Sequence, residues 1–408
     1  METELCVLTP DDWELWREVR LRALADAPDA FGSTLAREQA YGEDDWREWL
    51  NEPAVVALED GAAVACGALF ANRPGYAAVV AMWVAPDLRG RGLSRRVLDV
   101  LVDWAGARGL RVELGVNRLN PVARAAYLAY GFAPTPRCHP LRDGSDKICD
   151  VLELDAPARV LARIEQYYDE VPRLEADARD AGPFTLFVRR GTGHPYYARP
   201  GLGRTAFEAE DIARVLDLQR TLGVPRALEW VDEVTPGLRA AVIEAGHRPR
   251  LHPLLVLGDL SPAPPMQPTA SCSVLAADDP RLAEIFGAVS AGFAERDEVA
   301  IHEIGARAEA IAAGRLVIVG AFAPDGRAVG GGSTSPRGTV TELAGIAVLP
   351  RARRRGTGAA LTRALVGAAH DAGCRTVFLS AADDAACRTY ERIGFRRAAT
   401  ACVLEPDA

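Results

Sequence analysis

The sequence has no closely spaced cysteine pair, no long apolar run and no excess of positive charge, and each absence excludes a class of protein. Its eight cysteines are scattered without a C-x-x-C pair, which argues against a zinc site or a disulfide framework and favours reduced thiols. The formal net charge of −9 argues against nonspecific binding to nucleic acid. We therefore expect no metal and no nucleic-acid partner.

The sequence also lacks the features that direct a chain into or across a membrane. No apolar stretch approaches the length of a membrane-spanning helix, and residues 1–4 are acidic where a signal peptide would be basic. With 408 residues, 49% of them hydrophobic, the chain can bury two or three cores of ordinary domain size. These features predict a cytoplasmic protein of several domains with no membrane partner.

A turn rich in arginine and glycine occurs twice, each time between a strand-like stretch and an amphipathic helix. Its first copy is Arg89-Gly90-Arg91-Gly92-Leu93-Ser94, and its second is Arg353-Arg354-Arg355-Gly356-Thr357-Gly358. Unpaired N–H groups at a helix start bind phosphate, and glycine lets the backbone approach the ligand. A single copy is weak evidence, because such clusters are commonly solvated loops. The repetition predicts two phosphate-binding turns.

A second motif follows each turn, an eight-residue run that ends in tyrosine and precedes a Gly-Phe pair. The run spans residues 120–127 before Gly131-Phe132, and residues 383–390 before Gly394-Phe395. The spacing from the start of the run to the glycine is the same in both copies. The two ends of the chain are therefore predicted to be related catalytic lobes.

The middle of the chain carries a third, incomplete copy of this frame. Residues 235–242 precede Gly246-His247, with Val242 in place of the tyrosine, and no glycine-rich turn opens the helix predicted over residues 207–222. We expect a structural lobe that has lost cofactor binding. The predicted domains are an N-terminal domain (1–155), a degenerate lobe (156–260), a proline-rich linker (261–271) and a C-terminal domain (272–408).

With these motifs, the sequence resembles the GNAT superfamily of N-acetyltransferases, whose acetyl-CoA signature is Arg/Gln-x-x-Gly-x-Gly/Ala after the fourth strand. The turn at residues 353–358 matches this signature fully, while Ser94 replaces the last small residue of the first turn. The resemblance implies tandem α+β folds, each a mixed central sheet flanked by helices. It also implies direct attack of a primary amine, of a small molecule or a peptide, on acetyl-CoA.

The resemblance assigns catalytic roles to residues of both outer lobes. Tyr127 and Tyr390 take the position of the general acid that protonates the departing thiolate. Glu342 takes the position of the general base in the last lobe, whereas the equivalent residue of the first lobe is Ala78. Glu113, on the next strand, is the alternative base there, although a carboxylate on an alternating strand commonly faces solvent.

Acetyl-CoA is the implied cosubstrate, bound by the turns, the helix starts and the strands before them. In the first lobe the residues expected to bind it are Met82, Trp83, Val84, Arg89, Gly90, Arg91, Gly92, Leu93, Ser94, Arg95 and Asn120; in the last lobe they are Ile346, Ala347, Val348, Arg353, Arg354, Arg355, Gly356, Thr357, Gly358 and Ala359. Two alternatives stay open. One is a tandem acetyltransferase of the mycothiol-synthase type with one active lobe, and the other is a non-enzymatic acyl-CoA-binding regulator.

Overall fold

The computed structural model describes residues 3–191, 195–261, 269–305 and 307–405, apart from the side chain of Asn72. The chain divides into two compact units, Met1–Arg159 and Val160–Ala408, so the middle and C-terminal segments lie in one unit. Most of the predicted proline-rich linker falls outside the described residues. Among the described helices, none combines the length and the apolar character needed to cross a bilayer.

The first unit contains a seven-stranded sheet flanked by helices. Its strands are β1 (Glu4–Val7), β2 (Ala54–Glu59), β3 (Ala62–Arg73), β4 (Tyr76–Val84), β5 (Arg111–Asn117), β6 (Ala133–Pro140) and β7 (Ile148–Leu154). Its helices are α1 (Trp13–Asp26), α2 (Leu35–Gln39), α3 (Glu43–Trp49), α4 (Leu93–Ala107) and α5 (Pro121–Tyr130). The strand order is β1-β2-β3-β4-β5-β7-β6, and among the described strand pairs of this unit only β4–β5 is parallel.

Helix α4 packs on this sheet because its apolar residues recur at helical spacing. Val97, Leu98, Leu101 and Ala105 are all buried, and the helix lies against β2, β3 and β4. The amphipathic helix predicted after the first turn is thus present, and it begins at Leu93. Gly92, at the position before it, has the left-handed backbone that ends the turn.

The second unit contains an eight-stranded sheet and a three-stranded sheet in its described residues. Helix α6 (Ala156–Arg173) leads into it from the first unit. The strands are β8 (Ala176–Ala181), β9 (Phe184–Arg189), β10 (Arg199–Pro200), β11 (Leu228–Val231), β12 (Arg250–Leu257), β13 (Ser271–Leu275), β14 (Val317–Phe322), β15 (Ala328–Thr334), β16 (Val340–Val348), β17 (Thr376–Ser380) and β18 (Phe395–Leu404). The helices are α7 (Ala209–Thr221), α8 (Leu238–Glu244), α9 (Leu282–Phe293), α10 (Arg307–Ala312), α11 (Thr357–Asp371) and α12 (Asp384–Glu391).

The middle and C-terminal segments exchange strands within the larger sheet, whose order is β11-β18-β12-β17-β16-β15-β14-β13. Strand β12, which follows α8 of the middle segment, pairs with β17 and β18 of the C-terminal segment. Strand β18, which follows α12, pairs in turn with β11 and β12. Each segment thus places its last strand between two strands of the other segment, as expected of two copies of one motif. The middle segment is therefore part of the C-terminal sheet. The predicted domain boundaries themselves stay a prediction.

Glycine and proline lie at the ends of two short elements of the second unit. Helix α10 begins at Arg307, two residues after Gly305, whose φ of 54° a right-handed helix cannot continue. Strand β10 ends at Pro200, which has no N–H to donate to a longer ladder.

Candidate active sites

The two glycine-rich turns have the same backbone conformation. In the first, Gly90 and Gly92 have φ values of 80° and 79°; in the second, Arg354 and Gly356 have values of 57° and 78°. Left-handed residues that alternate with residues of negative φ can turn successive N–H groups towards one side, where an anion binds. The N-cap residues Gly92 and Gly356 have no side chain with which to cap α4 and α11, and the N–H groups at such a helix start can bind a phosphate.

The space beside the glycines of the first turn is open. Apart from the neighbouring residues of the chain, no described atom lies within 4 Å of the place where a Cβ of Gly90 or Gly92 would be, so protein packing does not require glycine at either position. The left-handed backbone does. The predicted contact of this turn with the pyrophosphate of acetyl-CoA stays a prediction.

The arginine that opens each turn fixes the end of the preceding strand. Arg89 donates Nε to the carbonyl of Val84 at 3.0 Å and pairs with Asp26, the last residue of α1. Arg353 makes the same two contacts in the last lobe. Its Nε donates to the carbonyl of Val348 at 2.9 Å, and its guanidinium forms an ion pair of 2.7 Å with Glu295, just after α9. Both arginines thus brace the turn, and their predicted contact with the cofactor stays a prediction.

A β-bulge interrupts the strand before each turn at the same place. Ala81 and Met82 of β4 oppose Gly67, and two residues of β16 beginning with Gly345 oppose Gly332. Ala81 and Gly345 have φ values of 56° and 62°. Neither bulge was predicted from the sequence. Gly67, which lies opposite the bulge of β4, is the residue of the sequence that could have indicated this bulge, because a Cβ on Gly67 would lie 2.4 Å from Sδ of Met82.

The parallel strand pair opens shortly before each bulge. Strand β4 pairs with β5 only as far as the rung Ala78–Glu113, and β16 pairs with β17 only as far as Glu342–Phe378. A bulge bends its strand and increases the local twist. The two strands consequently separate on the side of the turn. In the first unit two cavities lie beside them, a turn cavity at the glycine-rich turn and a sheet cavity at the face of the sheet.

The turn cavity has a volume of about 710 Å³. It is lined by every residue of the first lobe predicted to bind acetyl-CoA except Arg91, which instead contacts Glu59 at 3.2 Å. The sheet cavity, of about 540 Å³, is lined by β4, β5 and β6 and by the loop that includes Phe31. Tyr127 and Met82 line both cavities. Tyr127 therefore lies where the two cavities meet, and its predicted role as the acid stays a prediction.

The two predicted acids have matching surroundings. The rings of Tyr127 and Phe132 make an edge-on contact with centroids 5.9 Å apart, and those of Tyr390 and Phe395 do the same at 6.1 Å. The Gly-Phe pair of the repeated frame thus supplies the partner of each tyrosine ring. Burial raises the pKa of Tyr127 to about 12 and also raises the pKa of Tyr390. Both phenols keep their proton at neutral pH and can donate it to a developing thiolate.

The predicted base of the first lobe is held by arginines. Glu113 lines the sheet cavity, and its Oε2 accepts hydrogen bonds from Arg73 at 2.9 Å and from Arg137 at 2.7 Å. The same two arginines also contact Glu153. This network occupies the carboxylate of Glu113, and its predicted role as base stays a prediction.

The predicted base of the last lobe lies in a buried network supplied by the middle segment. Tyr168 of α6 donates its hydroxyl to Oε1 of Glu342 at 2.9 Å. The Arg199 guanidinium lies 3.9 Å from the centre of the Tyr168 ring and 2.7 Å from Glu229. Burial, reinforced by Glu229, raises the pKa of Glu342 to about 7, although the bond from Tyr168 and the charge of Arg199 oppose that rise. A base of this pKa is well matched to neutral pH.

The remaining residues predicted to bind acetyl-CoA in the last lobe lie on β16 and at the start of α11. Ile346 and Ala347 lie at and after the bulge, and the side chains of Arg354 and Arg355 are exposed. Thr357 is buried, and its hydroxyl donates to the carbonyl of Ala352 at 3.1 Å. The backbone of this turn is thus presented to solvent beside two positive side chains.

Helix α7 of the middle segment starts differently. Asp211 accepts a hydrogen bond from the N–H of Glu208 at 2.9 Å, and Glu210 adds another carboxylate to the first turn of the helix. Negative side chains already complement this helix start, and they would repel a pyrophosphate.

Comparison with known proteins identifies the family of the chain. The chain matches the acetyltransferase (GNAT) family over residues 19–132 and 272–395, which together cover more than half of its length, and it belongs to that family. This confirms the predicted family and the tandem α+β fold. The family's enzymes are acetyl-CoA-dependent acetyltransferases, so the predicted enzyme class and cosubstrate are confirmed at the level of the family.

Individual relatives match parts of the chain. A stretch of 124 residues is 32% identical to the mycothiol acetyltransferase of Beutenbergia cavernae, covering 29% of this chain and 40% of that enzyme. The chain is similar in structure to a GCN5-related N-acetyltransferase from Kribbella flavida (22% identity, 61% of this chain and 96% of that one, TM-score 0.48). It is also similar to yncA from Salmonella typhimurium with its cofactor acetyl-CoA (18% identity, 38% and 95%, TM-score 0.33).

Proposed function

We propose that the protein is an N-acetyltransferase that moves the acetyl group of acetyl-CoA to a primary amine of a small molecule or peptide by direct attack. One observation carries the proposal. A turn with two left-handed residues, a bulge and a tyrosine packed on phenylalanine occur in both outer lobes in corresponding places. A fold that only bound a phosphate would need the turn but not the other two features.

The residues of the last lobe supply both proton transfers of the reaction. Glu342 takes a proton from the amine, directly or through water, as the nitrogen forms its bond to the thioester carbonyl carbon. Backbone N–H groups of β16 stabilise the oxyanion that develops. Tyr390 gives its proton to the sulfur as the carbon–sulfur bond breaks. The products are an amide and a free thiol, and solvent exchange restores both side chains.

The three lobes divide this work unequally. The last lobe has a carboxylate with a pKa of about 7 at the base position, whereas the first lobe has Ala78 there. The middle lobe has an acidic helix start and no glycine-rich turn. We infer that the last lobe contributes most of the turnover, that the first also binds acetyl-CoA, and that the middle lobe does not bind it.

The experiment places a carboxylate in one turn at a time. Gly356→Glu and Gly92→Glu put negative charge and bulk where the pyrophosphate would lie. Gly326→Glu and Gly61→Glu are matched controls, since these glycines have similar left-handed backbone (φ 83° and 78°) and equally open surroundings. Release of free thiol from acetyl-CoA is measured with a panel of amines, and the number of acetyl-CoA sites is measured by calorimetry.

We expect two sites in the wild type and one in each turn variant, with the larger loss of activity in Gly356→Glu. If Gly92→Glu instead removed nearly all activity, the first lobe would be the main catalyst. Tight binding of acetyl-CoA without turnover of any amine would refute the enzyme and favour a regulator.

The similarity to a mycothiol acetyltransferase favours a second candidate, in which the acceptor is the deacetylated form of mycothiol. The test is to offer this amine beside simple amines and peptides and to identify the product by mass spectrometry. A kcat/KM for it far above those of the other amines would select this candidate, and equal values would reject it.

A further inference from the structure

The first lobe has no carboxylate at the base position, but its sheet cavity contains a histidine. His139 of β6 lines that cavity together with Tyr127. It is the only histidine in residues 1–159. The residue is exposed, so its ring is within reach of an acceptor that enters the sheet cavity.

The hydrogen bonding of the ring determines which nitrogen is free. Nδ1 of His139 lies 2.8 Å from the carbonyl oxygen of Pro140. A carbonyl can only accept a hydrogen bond, so Nδ1 carries the hydrogen. In the neutral ring, Nε2 therefore has the lone pair, which is the arrangement that a general base requires.

The lack of a side chain at Gly115 leaves room for this nitrogen over strand β5. His139 pairs in register with Cys149 of β7, yet its ring extends past that strand to β5. A Cβ added to Gly115 of β5 would lie 2.7 Å from Nε2. Glu113 and Asn117, on the same face of β5 as Gly115, also line the cavity. Nε2 thus lies over the strand from which β4 separates.

The other groups of this wall are already engaged. Glu113 accepts hydrogen bonds from two arginines, and Asn117 donates its amide to the carbonyl of Asp29 at 2.9 Å. Arg137, two residues before the histidine on β6, is one of the arginines bound to Glu113. The position equivalent to Glu342 is Ala78, which has no group that could accept a proton.

We propose that Nε2 of His139 accepts the proton of the amine in the first lobe. This inference rests on the proposed acetyl transfer. As the amine nitrogen bonds to the thioester carbonyl carbon, its proton moves to Nε2, the carbon–sulfur bond breaks, and Tyr127 protonates the sulfur. The histidine then loses its proton to solvent. The two lobes would thus use the same cofactor turn and the same type of acid with different bases.

The test isolates the first lobe by using the Gly356→Glu full-length protein as background. In it, His139→Ala should lower turnover by about 100-fold without weakening acetyl-CoA binding, and added imidazole should restore part of the rate. Gly115→Ala should lower turnover while keeping the histidine, because the new methyl group displaces the ring. Cys138→Ala, which changes the exposed neighbour of His139, is the control and should have no effect.

The outcomes separate this inference from the proposed function. Absence of turnover in the wild type with every amine refutes the function itself. Turnover in the wild type but none in the Gly356→Glu background shows that the first lobe does not catalyse, which overturns the role of His139. Full activity of His139→Ala overturns it as well. So does a loss that imidazole does not rescue, because that loss is structural.

Discussion

Replacing Glu342 by glutamine should make the second unit more stable and less active. Burial raises the pKa of this carboxyl from its ordinary value of 4.5 to about 7, so the folded protein keeps the proton more tightly than the unfolded chain. Between these two pH values the folded state binds more protons, and the free energy of unfolding falls as the pH rises. Glutamine resembles the protonated side chain and carries no charge at any pH.

The size of the effect follows from the change in pKa. One pKa unit corresponds to about 1.4 kcal/mol, so a pKa of about 7 in place of 4.5 sets an upper limit of about 3.5 kcal/mol. Glu342 keeps some contact with solvent, and this contact reduces the cost of burying the charged carboxylate. We expect glutamine to stabilise the unit by about 1–2 kcal/mol above pH 8 and to have almost no effect near pH 4.5.

Hydrogen exchange of peptides from residues 340–348 measures this directly, because it reports the opening of the unit that contains Glu342. Wild type and variant are compared at each pH, so the intrinsic pH dependence of exchange cancels. Glu244→Gln, at the exposed end of α8, is the control for loss of a surface charge. Equal protection of Glu342→Gln and wild type at both pH 5 and pH 8.5 would refute the argument that this carboxylate is destabilised by burial.

Three further substitutions test other parts of the sites. Tyr390→Phe should lower kcat by about 100-fold with little change in the Kd for acetyl-CoA, as measured by steady-state kinetics and calorimetry; an unchanged kcat would leave the ring with a packing role. Tyr168→Phe removes a hydrogen bond that lowers the pKa of Glu342, so the rising limb of the pH–rate profile should move to higher pH, and a fixed profile would contradict the link. Arg354→Gly should stabilise the protein by about 1 kcal/mol, since φ is 57° there and glycine adopts this backbone without strain; the thermal midpoint measures it, and no gain would mean that the turn relaxes.

The sequence was sufficient for those features that depend on neighbours along the chain. The turns at residues 89–94 and 353–358 depend on local glycine spacing, and the helices that follow depend on the period of their apolar residues. The tyrosine frame belongs to the same class, because Tyr127 and Phe132 are near in sequence. These elements were found in the predicted places.

Features built from distant segments could not be predicted in this way. The insertion of β12 between β17 and β18 depends on pairing between residues far apart in the chain. The contact of Tyr168 with Glu342 joins residues 174 positions apart, and nothing near either residue indicates the other. The proposed role of His139 could not be predicted from its neighbours in sequence, because it depends on the position of the ring over Gly115 of another strand, whereas the local sequence shows only a segment rich in proline and arginine.

Because of the strand exchange, an isolated middle-lobe fragment is unsuitable for testing whether the middle lobe binds acetyl-CoA. An isolated segment of residues 156–260 would expose both edges of β12, which in the full chain pair with β17 and β18, and exposed edges favour aggregation. Binding by the middle lobe must therefore be measured in the full chain with both outer turns blocked.

The last paired rung of each parallel strand pair shows how the two outer lobes differ. In the first lobe this rung joins Ala78 to Glu113, and in the last it joins Glu342 to Phe378, so each rung carries one carboxylate but on opposite strands. Arginines bind the first carboxylate, whereas a tyrosine hydroxyl contacts the second. Because the turns, the bulges and the surroundings of the predicted acids are alike, we expect this difference to act on proton removal and not on cofactor binding. The two lobes should therefore bind acetyl-CoA with similar affinity and differ mainly in kcat.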